Sequence, residues 1–254
     1  MTSSRITTAA TGDRFLTNLQ RTYRNLSSLQ EQISSGQRVN RPSDDPLAAA
    51  QARLRQVDLD QIAASKKSAE SATTWLSTTE TALGNLSDIL NRARELTVQG
   101  ANSTYNQNQR NAIASEIDQL AAQAKQLMSA KAGDAYVFSG TKTTTAPYTT
   151  GSDVYQGDGN AVNRDIGNAT TLAVTVTFGA VGGAATLTAR SLVGEGTTAN
   201  DDRVLDTLQT IATNLRAGSV GELGSTDLRN LQTNLEAVAS ARAAVGATQN
   251  RVDN

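Results

Sequence analysis

Adjacent carboxylates at Asp44 and Asp45 are the first residues along the chain whose types suit acid–base chemistry. No second catalytic group accompanies them, and they directly precede Pro46 and an alanine-rich run. Side-chain oxygens at such a position cap the first N–H groups of a helix, and a proline costs little in the first turn. We therefore predict that Pro42, Ser43, Asp44 and Asp45 form the linker and cap of a helix, with Ser43 or Asp45 as the capping residue.

Two later stretches have a weak likeness to ligand-binding loops. Residues 140–143, Gly-Thr-Lys-Thr, lack the adjacent Gly-Lys pair and the earlier glycine that a phosphate loop requires. Asp153, Asp158, Gly159 and Asn160 do not have the spacing of a calcium-binding EF-hand, and no glutamate follows at the right distance. We interpret both stretches as turns.

Residue types that carry much of protein chemistry are missing. The chain of 254 residues has no histidine and no cysteine, which excludes a Ser-His-Asp triad, a thiol nucleophile, a disulfide framework and the usual zinc sites. Aromatic residues make up 4% of the chain, so few large side chains are available to line a small-molecule pocket. We predict a protein that is not an enzyme and uses no cofactor or metal.

Charge and hydropathy narrow the classes of partner. The 23 basic and 24 acidic residues give a net charge of −1, which offers no electrostatic reason to bind nucleic acid or an anionic membrane. No apolar run approaches the roughly 20 residues of a membrane span. The first residues, MTSSRITTAATGDRF, contain no apolar core of a cleavable secretion signal. We expect no nucleic-acid partner and no membrane insertion.

The elements that position these residues are mainly helical. From Asp13 to Ser35, apolar residues recur in alternating steps of four and three, and a helix-ending Gly36 follows. Because a lone amphipathic helix is marginal in water, we expect residues 1–40 to become ordered only when neighbouring subunits cover this apolar stripe. The predicted assembly seam consists of Phe15, Leu19, Leu26, Leu29 and Ile33.

A much longer helix is predicted from about Pro46 to about Gln99. Its later half repeats the same apolar spacing and adds a second row seven residues apart, so it can contact two partner helices. Thr104 and Gln107 are the expected capping box of a third helix. The short connection between these two helices indicates an antiparallel pair.

The sequence changes character at Gly133. From Asp134 to about Ala199 it is rich in glycine and threonine, and the strict alternation of Leu172 to Phe178 predicts a single strand. Helical periodicity then returns and continues to Val252. Residues 134–199 are therefore predicted to form a separable, β-rich insertion.

The expected fold is mainly α, an elongated antiparallel helical bundle with a small β-rich insertion domain. The predicted domains are an N-terminal assembly segment (1–42), a helical core (43–133 with 200–254) and the insertion (134–199). Because no Gly or Pro stop follows Val252, we also expect the C-terminal helix to continue beyond Asn254.

Several stretches resemble the flagellin superfamily of bacterial axial proteins. The superfamily signature between the terminal helix and the core is similar to residues 32–36, Gln-Ile-Ser-Ser-Gly, and 38–46, Arg-Val-Asn-Arg-Pro-Ser-Asp-Asp-Pro. Filament flagellins usually read Asp-Asp-Ala-Ala-Gly there, whereas the Asp-Asp-Pro form resembles the hook–filament junction members. Further similar stretches lie at residues 5–7, 79–83, 92–99, 136–140, 147–148, 155–158, 241–247 and 250–251.

The resemblance implies a structural subunit with a flagellin-like core, exported unfolded through the flagellar type III channel. It implies ring-like self-assembly outside the cell at the tip of the hook, between a neighbouring hook-associated protein and flagellin. An export chaperone would dock on a further C-terminal helix. By periodicity the charged patch Arg92, Arg94 and Glu95 is a solvated helix face, and by resemblance it makes subunit contacts.

Two other classes remain open. The first is the filament flagellin subunit, which copy number in purified filaments would distinguish. The second and more distant is a helical sensor or adhesin ectodomain, which a membrane span would support.

Overall fold

The computed structural model describes residues 8–165 and 171–253 of the chain. The chain forms two compact units, Met1–Ala63 and Ala64–Asn254. Helices account for most of the described residues, and the strands are few and short. The fold is therefore mainly α with a small β portion, as the sequence predicts.

The first unit contains helix α1 (Thr8–Ser35) and the start of helix α2 (Pro46–Gly100). α1 begins earlier than the predicted Asp13 and ends directly before Gly36, as its heptad spacing indicates. α2 has 55 residues and starts at its proline, where the missing N–H needs no intrahelical partner. Both predicted long helices are thus present.

The second unit contains the remaining helices of the described chain. α3 lies alongside α5, and a π-helical turn at Leu223–Asp227 leads directly into α7. No helix among the described residues is long and apolar enough to cross a membrane. The helices after α2 are α3 (Gln107–Leu127), α4 (Ala189–Leu192), α5 (Val204–Ala217), α6 (Val220–Glu222) and α7 (Leu228–Asp253), with a 3-10 turn at Gly196–Thr198.

The start of α3 differs from the prediction. Asn106, with extended backbone angles, is the capping residue, and it forms a reciprocal capping box with Gln109. The expected pair, Thr104 and Gln107, was therefore wrong. Thr104 instead bonds to Asn102 in the preceding turn, and the side chain of Gln107 donates to the carbonyl oxygen of residue 216 at 2.8 Å. Gln107 thus satisfies a free carbonyl at the end of α5 rather than capping its own helix.

Within the described residues, the β portion contains three antiparallel two-stranded ribbons. The first pairs β1 (Lys131–Ala132) with β2 (Ala135–Tyr136), the second pairs β3 (Asn163–Asp165) with β4 (Thr171–Ala173), and the third pairs β5 (Thr177–Ala180) with β6 (Gly183–Thr186).

The predicted single strand from Leu172 to Phe178 was wrong, because the chain bends between β4 and β5. Residues 174–176 leave the pairing with β3 before the pairing with β6 begins. All of Val174, Thr175 and Val176 are buried, so alternation does not describe this stretch. A strictly alternating sequence here supplies two short strands that pair with different partners.

One hydrophobic cluster joins the helices and the β portion of the second unit. Trp75 of α2, Ile117 of α3 and Val238 of α7 belong to the same cluster as Phe138 and Phe178 from the β portion. In addition, the backbone N–H of Gly179 in β5 donates to the hydroxyl of Ser240 in α7 at 3.0 Å. The change in sequence period predicts a division into a core (43–133 with 200–254) and an insertion (134–199). The apolar packing crosses this predicted boundary.

Candidate assembly surfaces

The linker between α1 and α2 is held by local polar contacts. Arg41 pairs with Glu31 of α1 at 3.2 Å. The carboxylate of Asp44 accepts a hydrogen bond from the backbone N–H of Arg41 at 3.0 Å, and the backbone N–H of Asp44 donates to the carbonyl of Arg41. Asp44 therefore closes a turn before the helix, and the neighbouring Pro42 is exposed.

Asp45 occupies the capping position of α2. Its carboxylate accepts a hydrogen bond from the backbone N–H of Ala48 at 3.0 Å, and Arg38 donates to the same carboxylate at 3.0 Å. The bond from Ala48 and the bond from Arg38 together lower the pKa of Asp45 below its usual value. Ser43, the other candidate, is exposed, so the structure places Asp45 rather than Ser43 at the cap.

The predicted seam of α1 lies on the surface of the first unit. Its five side chains are exposed by between 43% at Leu19 and 82% at Ile33. Leu16 and Tyr23, which the sequence analysis overlooked, widen the same surface and are also exposed. Their seven-residue spacing is the signal that could have found them. We call this surface the α1 stripe; it comprises Phe15, Leu16, Leu19, Tyr23, Leu26, Leu29 and Ile33.

A second exposed apolar surface covers the first part of α2, within the same unit. Leu47 is 71% exposed and Leu54 is 67% exposed. This surface was not predicted, and the seven-residue step between Leu47 and Leu54, followed by Val57, is the sequence signal that could have found it. Leu59 and Ile62 extend it around the helix, so the surface is wide enough to contact more than one partner helix.

The apolar stripe of α7 is covered within the chain, although its spacing resembles that of α1. Leu231, Val238 and Val245 are buried in the cluster of the second unit. Beside them, Arg242 pairs with Glu80 of α2 at 2.7 Å. Residues 241–251, which carry the C-terminal family resemblance, therefore lie on a core helix.

The charged patch on α2 separates into a paired part and a free part. Arg92 bonds to Glu116 of α3 at 2.7 Å and to Glu95 one turn along α2 at 3.1 Å. These two carboxylates raise the pKa of Arg92, and the Glu116 contact contributes most. Arg94 is exposed, and it has no ion-pair partner among the described side chains. Arg94 is thus the member of this patch with a guanidinium group free to contact another subunit.

Three family-like stretches of the β portion meet in one place. The hydroxyl of Tyr148 donates to the carbonyl of Gly194 at 2.5 Å, and the hydroxyl of Tyr155 donates to the carbonyl of Phe138 at 3.0 Å. The two rings lie edge to face at 6.3 Å. Burial raises the pKa of Tyr155 to about 12 and raises the pKa of Tyr148 further, so both phenols remain hydrogen-bond donors.

Asp158 locks the same region together. Its carboxylate accepts hydrogen bonds from the backbone N–H of Thr141 at 2.8 Å, from the hydroxyl of Thr141 at 2.5 Å and from the backbone N–H of Asn160 at 3.1 Å. Burial alone would raise the pKa of Asp158, but the bonds from Thr141 and Asn160 outweigh it and lower the pKa. These polar atoms of Thr141, Asp158 and Asn160 are thus used to close turns, as the sequence predicts for both stretches.

Another carboxylate of the second unit, that of Asp153, also joins separate parts of the chain. Asp153 pairs with Lys125 at 2.6 Å and accepts from Gln209 at 2.8 Å. Burial would raise the pKa of Asp153, but these two hydrogen bonds lower it overall. In residues 8–165 and 171–253, no group of three or more acidic side chains is placed to hold a metal ion.

Comparison with known proteins gives relatives that are bacterial flagellar proteins. Flagellar hook-associated protein 3 of Salmonella typhimurium is 28% identical over 171 residues, which cover 67% of this chain and 54% of that protein. The protein of the same name from Escherichia coli is 31% identical over 54% of this chain and 43% of its own length. The flagellar filament 41 kDa core protein of Borreliella burgdorferi is 35% identical, over 38% of this chain and 29% of that protein. The chain spans about half the length of the two hook-associated relatives.

Solved structures agree on the fold. The crystal structure of FlgL from Bacillus cereus matches with a TM-score of 0.62 and 25% identity, over 81% of this chain and 92% of that one. A putative flagellar hook-associated protein from Vibrio parahaemolyticus matches with a TM-score of 0.69 and 21% identity, over 84% and 91% of the two chains.

A family profile described as the bacterial flagellin N-terminal helical region matches residues 6–143. The match covers the linker, the cap, the two exposed apolar surfaces and the charged patch. The family-like residues 5–7, two of which open the match, lie outside the part of the chain that the structure describes. Since it includes more than half of the chain, the protein belongs to the bacterial flagellin family.

Proposed function

We propose that this protein is a structural subunit of the bacterial flagellum that joins the hook to the filament. Two of its relatives are named flagellar hook-associated protein 3, and a similar crystal structure is that of an FlgL protein. The linker also ends in Asp-Asp-Pro, the form that resembles junction members of the family.

The α1 stripe is the observation that carries this proposal. Seven large apolar side chains are between 43% and 82% exposed on one helix, and full burial of such a side chain from complete exposure contributes about 1.5–3 kcal/mol. A surface of this kind rewards assembly, because helix–helix packing between subunits removes it from water. The partner we propose for it is another copy of the same protein, arranged in a ring.

The remaining partners follow from that position. A neighbouring hook-associated protein lies on the hook side, flagellin lies on the filament side, and an export chaperone binds the subunit before export. The subunit is exported from the cytoplasm and acts outside the cell. In this role it performs no catalysis and uses no cofactor. Arg92, Arg94 and Glu95 contribute subunit contacts, with Arg94 as the free cation.

Complementation tests the proposal directly. A strain that lacks its own hook–filament junction protein would receive the full-length gene, its Leu26→Glu variant or its Ser28→Glu variant, with swimming and filament attachment as readouts. Leu26→Glu places a charge in the α1 stripe and should abolish attachment. Ser28→Glu places the same charge at an exposed position about 160° around the helix and should not. Failure of the unmodified gene to restore filament attachment would refute the proposed role.

The filament subunit is the alternative, and the 35% identity with a flagellar filament core protein favours it. Immunogold labelling of purified flagella separates the two. A junction subunit gives label at the hook end alone, whereas a filament subunit gives label along the whole length. A helical sensor or adhesin ectodomain would leave purified flagella unlabelled.

A further inference from the structure

Asp227 is a carboxylate buried within the second unit, at the end of the π-helical turn Leu223–Asp227. The residue is 2% exposed. Its carboxylate accepts a hydrogen bond of 2.8 Å from the side-chain amide of Asn214 on α5, the one side-chain donor that reaches it among the described residues. A buried carboxylate with a single neutral donor is costly to ionise. The position therefore favours the protonated form more than a surface position does.

Charges around this turn add to that cost. The turn packs against α5, α6 and α7, and Glu222 of α6 is the charged neighbour whose field acts on Asp227. Burial raises the pKa of Asp227, the bond from Asn214 opposes the rise, and the Glu222 charge adds to it. Other charged side chains described on these three helices are Asp206, Arg216, Arg229, Glu236, Arg242 and Arg251.

Among the side chains that the structure describes, no cation forms an ion pair with Asp227. Arg216, the basic residue of α5 nearest to the turn in sequence, pairs with Asp118 of α3, and Arg242 of α7 pairs with Glu80. The hydrogen bond from Asn214 is thus the contact that holds the carboxylate in place.

The Asn214–Asp227 contact closes a corner of the fold. The chain leaves α5 at residue 217, reverses through α6 and enters α7 at residue 228. Asn214 also accepts, through its backbone carbonyl, a hydrogen bond of 3.0 Å from the N–H of Ser219. π-Helical turns are rare, and where they occur they are frequent at functional positions. Within the corner, residues 214–228, the Asn214–Asp227 bond joins two side chains, and the buried Leu223 anchors the same segment in the hydrophobic cluster.

We propose that this corner is a pH-responsive latch, which protonated Asp227 closes and ionised Asp227 loosens. The protonated carboxyl can donate a hydrogen bond as well as accept one, and it carries no buried charge. Because the folded-state pKa of Asp227 is raised, protonation of Asp227 favours the closed corner at pH values below the ordinary aspartate pKa. This preference is lost as the pH rises through the folded-state pKa. Each pH unit between the two values changes the closed-to-open ratio about tenfold.

Hydrogen exchange on the full 254-residue chain tests the latch. Amides of residues 219–228 would be followed between pH 4 and pH 8, with rates corrected for intrinsic exchange, in the wild type, Asp227→Asn and Asp88→Asn. Asp227→Asn keeps the acceptor for Asn214 without a charge, whereas Asp88→Asn removes an exposed carboxylate from α2. In the wild type and in Asp88→Asn, protection should fall about tenfold per pH unit across the titration. In Asp227→Asn it should be independent of pH.

A direct titration keeps the proposal testable if Asp227→Asn fails to fold. The side-chain carboxyl of Asp227 would be followed by NMR in the wild type and in Glu222→Gln. It should titrate above the ordinary aspartate pKa in the wild type and at a lower pH in Glu222→Gln. Titration at or below the ordinary value, or an equal pH dependence of exchange in the wild type and Asp227→Asn, would overturn the proposal.

Discussion

Gly140 tests whether the contact between distant stretches of the β portion stabilises the second unit. It is buried and has a φ of +65°, in the left-handed region that side chains with a Cβ rarely adopt. A Cβ at this position would overlap both the carboxylate and the backbone carbonyl of Asp158. Gly140→Ala must therefore push away the loop that Asp158 closes onto Thr141.

The expected cost has two parts. The left-handed backbone alone costs an alanine about 1–2 kcal/mol. Displacement of Asp158 also weakens its three hydrogen bonds, each of which contributes about 0.5–1.5 kcal/mol in a partly exposed setting. We expect Gly140→Ala to lower the free energy of unfolding by about 3–5 kcal/mol in total.

Gly133→Ala is the matched control, because Gly133 has a φ of +64° and an added Cβ there would meet no atom within 4 Å. This variant carries the backbone cost of about 1–2 kcal/mol without the steric cost. For a unit of this size, 1 kcal/mol lowers Tm by about 2–4 °C, so Gly140→Ala should melt roughly 4–12 °C below Gly133→Ala. Urea unfolding followed by circular dichroism gives the two free energies, and equal values would refute the role assigned to the Asp158 contact.

The same pair of variants has a distinct pH signature. Since hydrogen bonds lower the pKa of Asp158, its stabilising effect is present above the ordinary aspartate pKa and is lost as pH falls through the folded-state value. Gly140→Ala should be less sensitive to acid over this range than Gly133→Ala, which keeps the contact.

Three further outcomes are expected. Asp45→Ala should speed hydrogen exchange of the Ala48 amide, whereas Ser43→Ala should leave it unchanged; equal rates in both variants would contradict the capping role of Asp45. Replacement of residues 135–198 by a Gly/Ser linker should abolish cooperative thermal melting, because Phe138 and Phe178 share one cluster with the helices; a cooperatively melting remainder would instead support a separable insertion. In a verified monomer, residues 19–33 of α1 should exchange rapidly, since no packing covers the stripe; strong protection there would contradict the assembly interpretation.

Helix positions could be predicted from the sequence because periodicity reports which residues are apolar along one face. The start of α2 was readable from Asp45 and Pro46, since caps and first turns use few residue types. The start of α3 was not, because several polar residues between 102 and 109 suit a cap, and the local backbone angles decide among them. A carboxylate beside a helix start can also close a turn, as Asp44 does within the predicted linker.

Contacts between distant parts of the chain could not be predicted. Nothing in the spacing of Thr141 and Asp158 indicates that one closes onto the other, or that Asp227 meets Asn214. The alternation from Leu172 to Phe178 reads as one strand, because periodicity reports burial and not the partner with which a strand pairs. For the same reason, the change of period near residue 134 indicates where the type of secondary structure changes. It does not indicate that one hydrophobic core ends there and another begins.

The contrast between α1 and α7 shows why assembly follows from structure and not from pattern. Both helices have apolar residues in steps of three and four, yet Leu231 and Val245 of α7 are buried while Leu19 and Ile33 of α1 are exposed. The α1 stripe adds little to the stability of the isolated chain, because its side chains keep between 43% and 82% of their surface in water after folding. Charges placed in it should therefore abolish filament attachment and leave the melting of residues 64–254 unchanged. Gly140→Ala should do the reverse, lowering the melting temperature without altering the α1 stripe. Measurement of both properties in both variants separates the surface used for assembly from the core used for folding, and a Leu26→Glu variant that melts like Gly140→Ala would show that the two are not independent.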